Sequence, residues 1–180
     1  MLLVQDCLQA LGRLAAFVRR EFSGKVIAIT GSAGKTTVKE FLASILAQKG
    51  DCAKNYKNWN NQLGIPLSIF SFSGEEDYWV LEAGVSIQGD MDDLGLFLLP
   101  DVTVIHNIGP AHLEGLGDIE GVVREKTKLF KYMSDSGQVV FSLDYPLLRE
   151  RAEKVSLSKK LGFSTSEPFV DYYGQYLGPS

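Results

Sequence analysis

The 180-residue chain is poor in the residues that build metal clusters and disulfide frameworks, with two cysteines and two histidines. Cys7 and Cys52 stand in no C-x-x-C or Cys/His spacing, which argues against a zinc site or a disulfide-stapled fold. Two isolated thiols suit a reducing cytoplasm. Excess positive charge is lacking too. At a net charge of −4 no general affinity for nucleic acid is expected, since that rests on clustered Lys and Arg. Any phosphate recognition has to be local. No apolar run approaches the roughly 20 residues that cross a bilayer. The opening "MLLVQDCLQALGRLAAFVRREF" has the wrong charge order for an export signal, because Asp6 comes early and Arg13, Arg19 and Arg20 come late. Neither nucleic acid nor membrane is an expected partner, and the expected state is a cytoplasmic monomer. The chain also lacks internal repeats and low-complexity segments.

What is present reads as one soluble α/β domain. Hydrophobic residues make up 45% and charged residues 22%, an ordinary globular balance, and the length allows a sizeable core. Leu8, Leu11, Leu14 or Ala15, and Val18 recur at helical spacing, so the chain opens on an amphipathic helix. "KVIAIT" (25–30) is a strand, and residues 35–49 follow as a helix with Val38, Leu42, Ile45 and Leu46 on one face. Further strands are expected at 77–84, 101–109 and 138–143, with helices at 91–99 and 118–133 between them. Alternating strands and helices imply a parallel sheet with right-handed crossovers. Ligands of such sheets bind outside the carboxyl ends of the strands. "GSAGKTT", "EAGVS" and "HNIGPAHLEGLG" each follow a strand directly and are predicted to gather on that edge. From about Ser156 the pattern weakens, and "YYGQYLGPS" ends the chain with no clear element.

The first of these loops fails the usual phosphate-loop test. That pattern places a glycine ahead of the Gly-Lys pair with four residues between, and the position is Ile29 here; the nearest glycine is Gly31. A tight strand–helix turn with a surface lysine is therefore one reading. The other is a phosphate cradle. Helix N-termini attract phosphate, Gly31 and Gly34 allow close backbone approach, Lys35 can neutralise β- and γ-phosphate charge, and Thr36 can offer a hydroxyl to Mg²⁺. The strand–loop–helix context and the intact Gly-Lys-Thr-Thr favour the cradle. Glu82, after "YWVL", is an odd residue beside buried positions and is the next candidate for a hard cation.

"TGSAGKTTVKE" resembles the ATP-binding loop of the Mur ligases, whose first glycine falls where Gly31 does. "NYKNWNNQLGIPLSI" (55–69), "LEAG" (81–84) and "PDVTVIHNIGPAHLEGLGDIEGVVREKTKLF" (100–130) are similar to the central domain of that family. The blocks span most of residues 6–130. Asn-Asn-x-x-Gly-x-Pro together with Asn-x-Gly-Pro-Ala-His-Leu-Glu-Gly points to the branch that joins D-alanyl-D-alanine to a UDP-N-acetylmuramoyl tripeptide in peptidoglycan precursor synthesis. The resemblance implies a parallel-sheet phosphate-loop domain that uses ATP and Mg²⁺ to activate a carboxylate as an acyl phosphate, which an amine then attacks. It implies nucleotide contacts from Gly31, Ser32, Ala33, Gly34, Lys35, Thr36 and Thr37, and from Asn60 or Asn61. It further implies metal binding by Thr36, Glu82, His112 and a carbamate on Lys126, with Lys35, Glu82, His112 and Lys126 as the catalytic set. Spacing alone suggests neither His112, since imidazole is not a favoured Mg²⁺ ligand, nor Lys126.

Other residues are read more plainly. His106 is expected to be a partly buried structural ring, Asn107 to orient the loop, and Glu114, Lys128 and Lys131 to be surface groups. Residues 1–24 are read as a helix leading into the domain and 25–180 as the central domain, with UDP-binding N-terminal and C-terminal domains absent. Such a piece is expected to be inactive alone. Two alternatives stand beside this reading: another ligase of the superfamily, including a folylpolyglutamate type, or a nucleotide-binding module without ligase chemistry.

Overall fold

The computed structural model describes residues 3–157, 159–175 and 177. In chain order the elements are α1 (Cys7–Glu21), β1 (Lys25–Thr30), α2 (Lys35–Leu46), β2 (Cys52–Lys54), α3 (Gly64–Ser71), β3 (Tyr78–Glu82), α4 (Asp90–Leu98), β4 (Val102–Ile105), α5 (Leu113–Leu116), α6 (Ile119–Thr127), β5 (Gln138–Ser142), α7 (Pro146–Glu153), β6 (Lys159–Ser164) and β7 (Tyr172–Tyr173). The strands form one sheet in the order β2-β3-β1-β4-β5-β6-β7, and every neighbouring pair is parallel. This is the predicted α/β architecture.

Helices on both faces explain why β1 is buried at every residue after Lys25 rather than at alternate ones. Val26 and Ala28 belong to the larger core, with Trp79, Leu81, Leu94, Val122 and Phe141. Ile27 and Ile29 face the other side and pack with Val80 and Ala43, against which Val38, Leu42 and Leu46 close. Ile29 is 0% exposed, so the position where a phosphate loop usually has glycine is here the last apolar layer beneath α2. Phe22, just after α1, stacks on Trp79 with ring centroids 3.8 Å apart. Arg19 fixes that end of the helix, donating to the carbonyls of Leu98 and Leu99 and pairing with Asp101 at 2.9 Å.

The structure departs from the sequence reading in several places. Leu8 and Leu14 are about half exposed, and Ile45 is 64% exposed, so none of them lies on its helix's core face. In α1 the buried line is Gly12, Ala15, Ala16 and Arg19 instead, because α4 packs so close that a Cβ on Gly12 would overlap the Phe97 ring. The helix expected at 35–49 ends at Leu46, and the one at 118–133 breaks into α6 and a 3₁₀ turn, Lys128–Tyr132. The strand expected at 101–109 stops at Ile105. Order continues past Ser156, where β6 and β7 extend the sheet. Of the tail read as featureless, Tyr176 and Gly178–Ser180 lie outside the described residues.

Candidate functional site

The three glycine-bearing loops meet at the carboxyl ends of β1, β3 and β4. The loop after β1 is held by the residues that follow β4. Asn107 Oδ1 accepts from the Ser32 and Ala33 amides at 2.8 and 3.2 Å, while its Nδ2 donates to Ala33 O at 2.8 Å. His106 Nε2 donates to the same carbonyl at 2.6 Å, and Ser32 Oγ is 2.9 Å from both N and O of Gly109. His106 is therefore a half-buried structural ring, as read, and burial pushes its pKa below the ordinary value. A Cβ on Gly31 would lie 2.4 Å from His106 Cε1, so the approach of the two strand ends requires glycine at 31. Gly34 has φ 74° and turns the chain into α2, whose first amides have no intrahelical acceptors. Lys35 folds back on the loop, with Nζ donating to Gly31 O at 3.0 Å. Thr37 completes that first turn and is exposed.

One turn of α2 also meets the end of β3. Thr36 Oγ1 donates to Glu82 Oε2 at 2.7 Å, and Asn60 Nδ2 donates to Glu82 Oε1 at 2.6 Å. Glu82 is 2% exposed, so its carboxylate is presented rigidly through these partners rather than dissolved in water. Asn55 clasps the same residue by its backbone, accepting from Glu82 N at 2.9 Å and donating to Glu82 O at 3.3 Å. The two amides of the Asn-Asn pair are thereby distinguished. Asn60 meets Glu82, whereas Asn61 Oδ1 accepts from the Leu63 and Gly64 amides at 3.2 and 2.8 Å and opens α3.

Lys126, on α6, is 1% exposed, and no acceptor pairs with its amine among the described residues. Burial, and then the charge of Lys35, pushes its pKa down to about 8, with Glu125 acting the other way. An amine with that pKa is partly neutral near pH 7 and can act as a nucleophile. His112 stands apart. It is exposed, sits at φ 53° just before α5, and lines a shallow cavity of about 610 Å³ with Ser86, Ile87, Leu113, Glu114 and Gly115. It shares the edge with the phosphate loop but makes no hydrogen bond to Thr36, Glu82 or Lys126 among the described residues. No three His, Cys, Asp or Glu side chains converge as a metal cluster among the described residues. The donor pair that does fit a hard cation is Thr36 hydroxyl with Glu82 carboxylate, two oxygens side by side, and Mg²⁺ asks few more of a protein.

The Mur ligase middle domain matches residues 29–177. The chain belongs to the Mur ligase family. Among curated Mur ligases, the UDP-N-acetylmuramoyl-tripeptide–D-alanyl-D-alanine ligase of Escherichia coli is 37% identical over 143 residues, covering 79% of this chain and 32% of that protein. The crystal structure of MurF from Acinetobacter baumannii superposes with a TM-score of 0.89 at 34% identity, over 96% of this chain and 38% of that one. The MurF ligase from Thermotoga maritima, solved in complex with ADP, superposes with a TM-score of 0.85 at 35% identity, over 92% and 38%. The chain thus spans about a third of the length of the curated relatives it matches.

Three residues of this Mur ligase domain carry more of the site than their sequence context announces. Asn55 is 0% exposed and braces Glu82. Lys39 is also 0% exposed and donates to Asn55 O and Lys57 O. Glu125 is buried beside Lys126, where Oε1 accepts from the Gly89 and Met91 amides at the start of α4 and Oε2 pairs with Lys128 at 2.8 Å. Lys128, read as a surface group, is in fact bound by Glu125 and by Asp92 at 2.6 Å.

Proposed function

We propose that this domain is the ATP- and Mg²⁺-handling part of a cytoplasmic ligase that joins D-alanyl-D-alanine to a UDP-N-acetylmuramoyl tripeptide in peptidoglycan precursor synthesis. The observation that carries the reading is the pairing of Thr36 with the buried Glu82 at the N-terminus of α2, directly beside a glycine loop pinned by Asn107. Gly31–Thr37 form the cradle, with backbone amides and Lys35 set against phosphate oxygens. Thr36 and Glu82 would hold Mg²⁺, with Asn60 fixing the second carboxylate oxygen. When bound, the metal neutralises charge gathering on the transferred phosphoryl group. That group moves from ATP to the peptide carboxylate, and the amine of D-alanyl-D-alanine then displaces phosphate from the acyl phosphate, losing a proton. Lys35 stabilises the phosphoryl oxygens throughout by a charge-assisted contact.

Lys126 takes a carbamate in this reading. Its neutral amine adds CO₂, one N–C bond forms and one proton leaves, so the buried side chain ends as an anion that would serve a metal. Burial and the lowered pKa of this amine support the assignment. His112 would serve a second metal from the loop after β4, a role supported by the family resemblance and by its place on the phosphate edge.

Calorimetry with ADP and MgCl₂ tests the cradle. Lys35→Ala removes a charge-assisted contact and should weaken binding roughly 10–100-fold, given about 1.5–3 kcal/mol for such a bond. Unchanged affinity would refute the phosphate role. Carbon-13 bicarbonate tests the ligase chemistry against a plain nucleotide-binding module: a carbamate resonance should appear in the native protein and be absent from Lys126→Met. ADP release that requires both the tripeptide and D-alanyl-D-alanine tests the reaction itself.

A further inference from the structure

We propose that Lys39 is a positioning residue for the Glu82 metal site, acting through the loop between β2 and α3. The inference rests on the function proposed above. Lys39 is fully buried, and its one carboxylate partner among the described residues is loose: Glu40 Oε1 lies 3.4 Å away and is half exposed. Its near partners are two backbone carbonyls, Asn55 O at 2.8 Å and Lys57 O at 2.6 Å. A buried ammonium is costly, and an apolar residue would fill the same space without that cost. What the ammonium does here is grip one short segment at two points. That segment is under strain. Lys57 has φ 45°, a left-handed conformation that non-glycine residues seldom adopt, and its carbonyl is turned toward Lys39 as a result.

The gripped segment carries two of the three side chains that hold Glu82. Asn55 clasps the Glu82 backbone, and Asn60 donates to its carboxylate. Trp59 O, between them, accepts from Asn55 Nδ2 at 2.8 Å, so the turn moves with Asn55. Glu82 in turn accepts from Thr36, three residues before Lys39 on the same helix. The contacts close into a ring: α2 through Thr36 to Glu82, through Asn55 and Asn60 to the loop, and through Lys39 back to α2. A ring fixes the carboxylate in place with respect to the helix that presents Lys35 and Thr36. Opening it at Lys39 leaves the buried Asn55 carbonyl and the part-buried Lys57 carbonyl without this donor and frees Asn60 to withdraw.

The test compares ADP affinity with and without Mg²⁺ in the native protein, Lys39→Met and Lys35→Ala, together with amide hydrogen exchange over residues 55–61 in the absence of nucleotide. Lys39→Met should lose roughly 10–100-fold of the Mg²⁺-dependent gain in affinity, the range for metal-site partners one step removed, while Mg²⁺-free ADP affinity holds. Exchange over 55–61 should accelerate. A merely structural lysine would lower both affinities together or neither. A Lys39→Met protein that keeps the native Mg²⁺ gain overturns the proposal. Should that variant fail to fold, the native protein still decides. Trp59 and Asn60 amides exchanging as freely as an unstructured loop overturn it, and protection matching the middle of α2 supports it. Lys35→Ala separates the two readings: unchanged affinity there defeats the phosphate role, whereas the exchange result for Lys39 needs no nucleotide.

Discussion

Two lysines of this domain are buried to the same degree and held in opposite ways. Lys39 on α2 is 0% exposed with two carbonyl acceptors, and Lys126 on α6 is 1% exposed with none among the described residues. The first is a saturated cation whose loss strands its partners. The second is a desolvated amine, pushed down to about pKa 8 by burial and by Lys35. Burial alone therefore says little about a charged side chain. The acceptors around it decide whether it fastens the fold or stands ready for chemistry.

The largest expected effect tests the saturated member. Lys39→Met should lower unfolding free energy by about 2–4 kcal/mol, because the buried Asn55 carbonyl loses its donor at about 1–3 kcal/mol and the part-buried Lys57 carbonyl loses about 1 kcal/mol more. Urea denaturation at unchanged m-value measures it. Lys126→Met should go the other way. Removing a desolvated ammonium that has no partner leaves a side chain of similar shape, so stability at pH 7 should hold or rise, by at most about 3 kcal/mol. If both variants destabilise equally, the contrast between the two lysines is false.

The pH dependence sharpens the same contrast. The folded pKa of Lys126 lies below its unfolded value, so between pH 8 and about 10.5 the unfolded chain binds more protons than the folded one. Stability contributed through this group therefore rises with pH across that window and is constant below it. The gap between the native protein and Lys126→Met should close by about 1–3 kcal/mol over this range when measured without bicarbonate. A gap that widens would reverse the assigned shift.

How far these features were legible in sequence follows from what sequence records. The strands at β1, β3, β4 and β5 were readable because buried parallel strands are apolar runs bounded by Gly, Pro or Asp. β6 was not, since Lys159, Lys160 and Gly162 dilute its pattern, and α3 begins on Gly-Ile-Pro behind a cap supplied by Asn61. Lys35 and Thr36 stood out by spacing, and Glu82 by its place at a strand end. Lys126, Lys128 and Lys131 look alike in "KTKLFK"; only the packing of α6 buries the first, pairs the second and exposes the third. Nothing local marks Lys39, because its acceptors are 16 and 18 positions away.

The smallest effects belong to the two remaining lysines of that stretch. Lys128 bonds Asp92 and Glu125, and Glu125 is buried with its other oxygen already accepting two amides at the start of α4. Lys128→Met therefore strands one carboxylate oxygen, while Asp92 keeps the Tyr132 hydroxyl at 3.1 Å. The expected cost is about 1–2 kcal/mol, between that of an exposed ion pair and that of a buried one. Lys131 is exposed and unpaired among the described residues, so Lys131→Met should stay within about 0.5 kcal/mol. Salt separates the cases further. Raising ionic strength toward 1 M screens the half-exposed Asp92 contact and should shrink the Lys128→Met effect, but it should leave most of the Lys39→Met effect intact, because the fully buried ammonium bonds carbonyls out of reach of counterions and only its 3.4 Å contact with half-exposed Glu40 is screened. A Lys39→Met cost that falls with salt as steeply as the Lys128→Met cost would show that its amine is solvated, and the difference between a fastening lysine and a surface one would disappear.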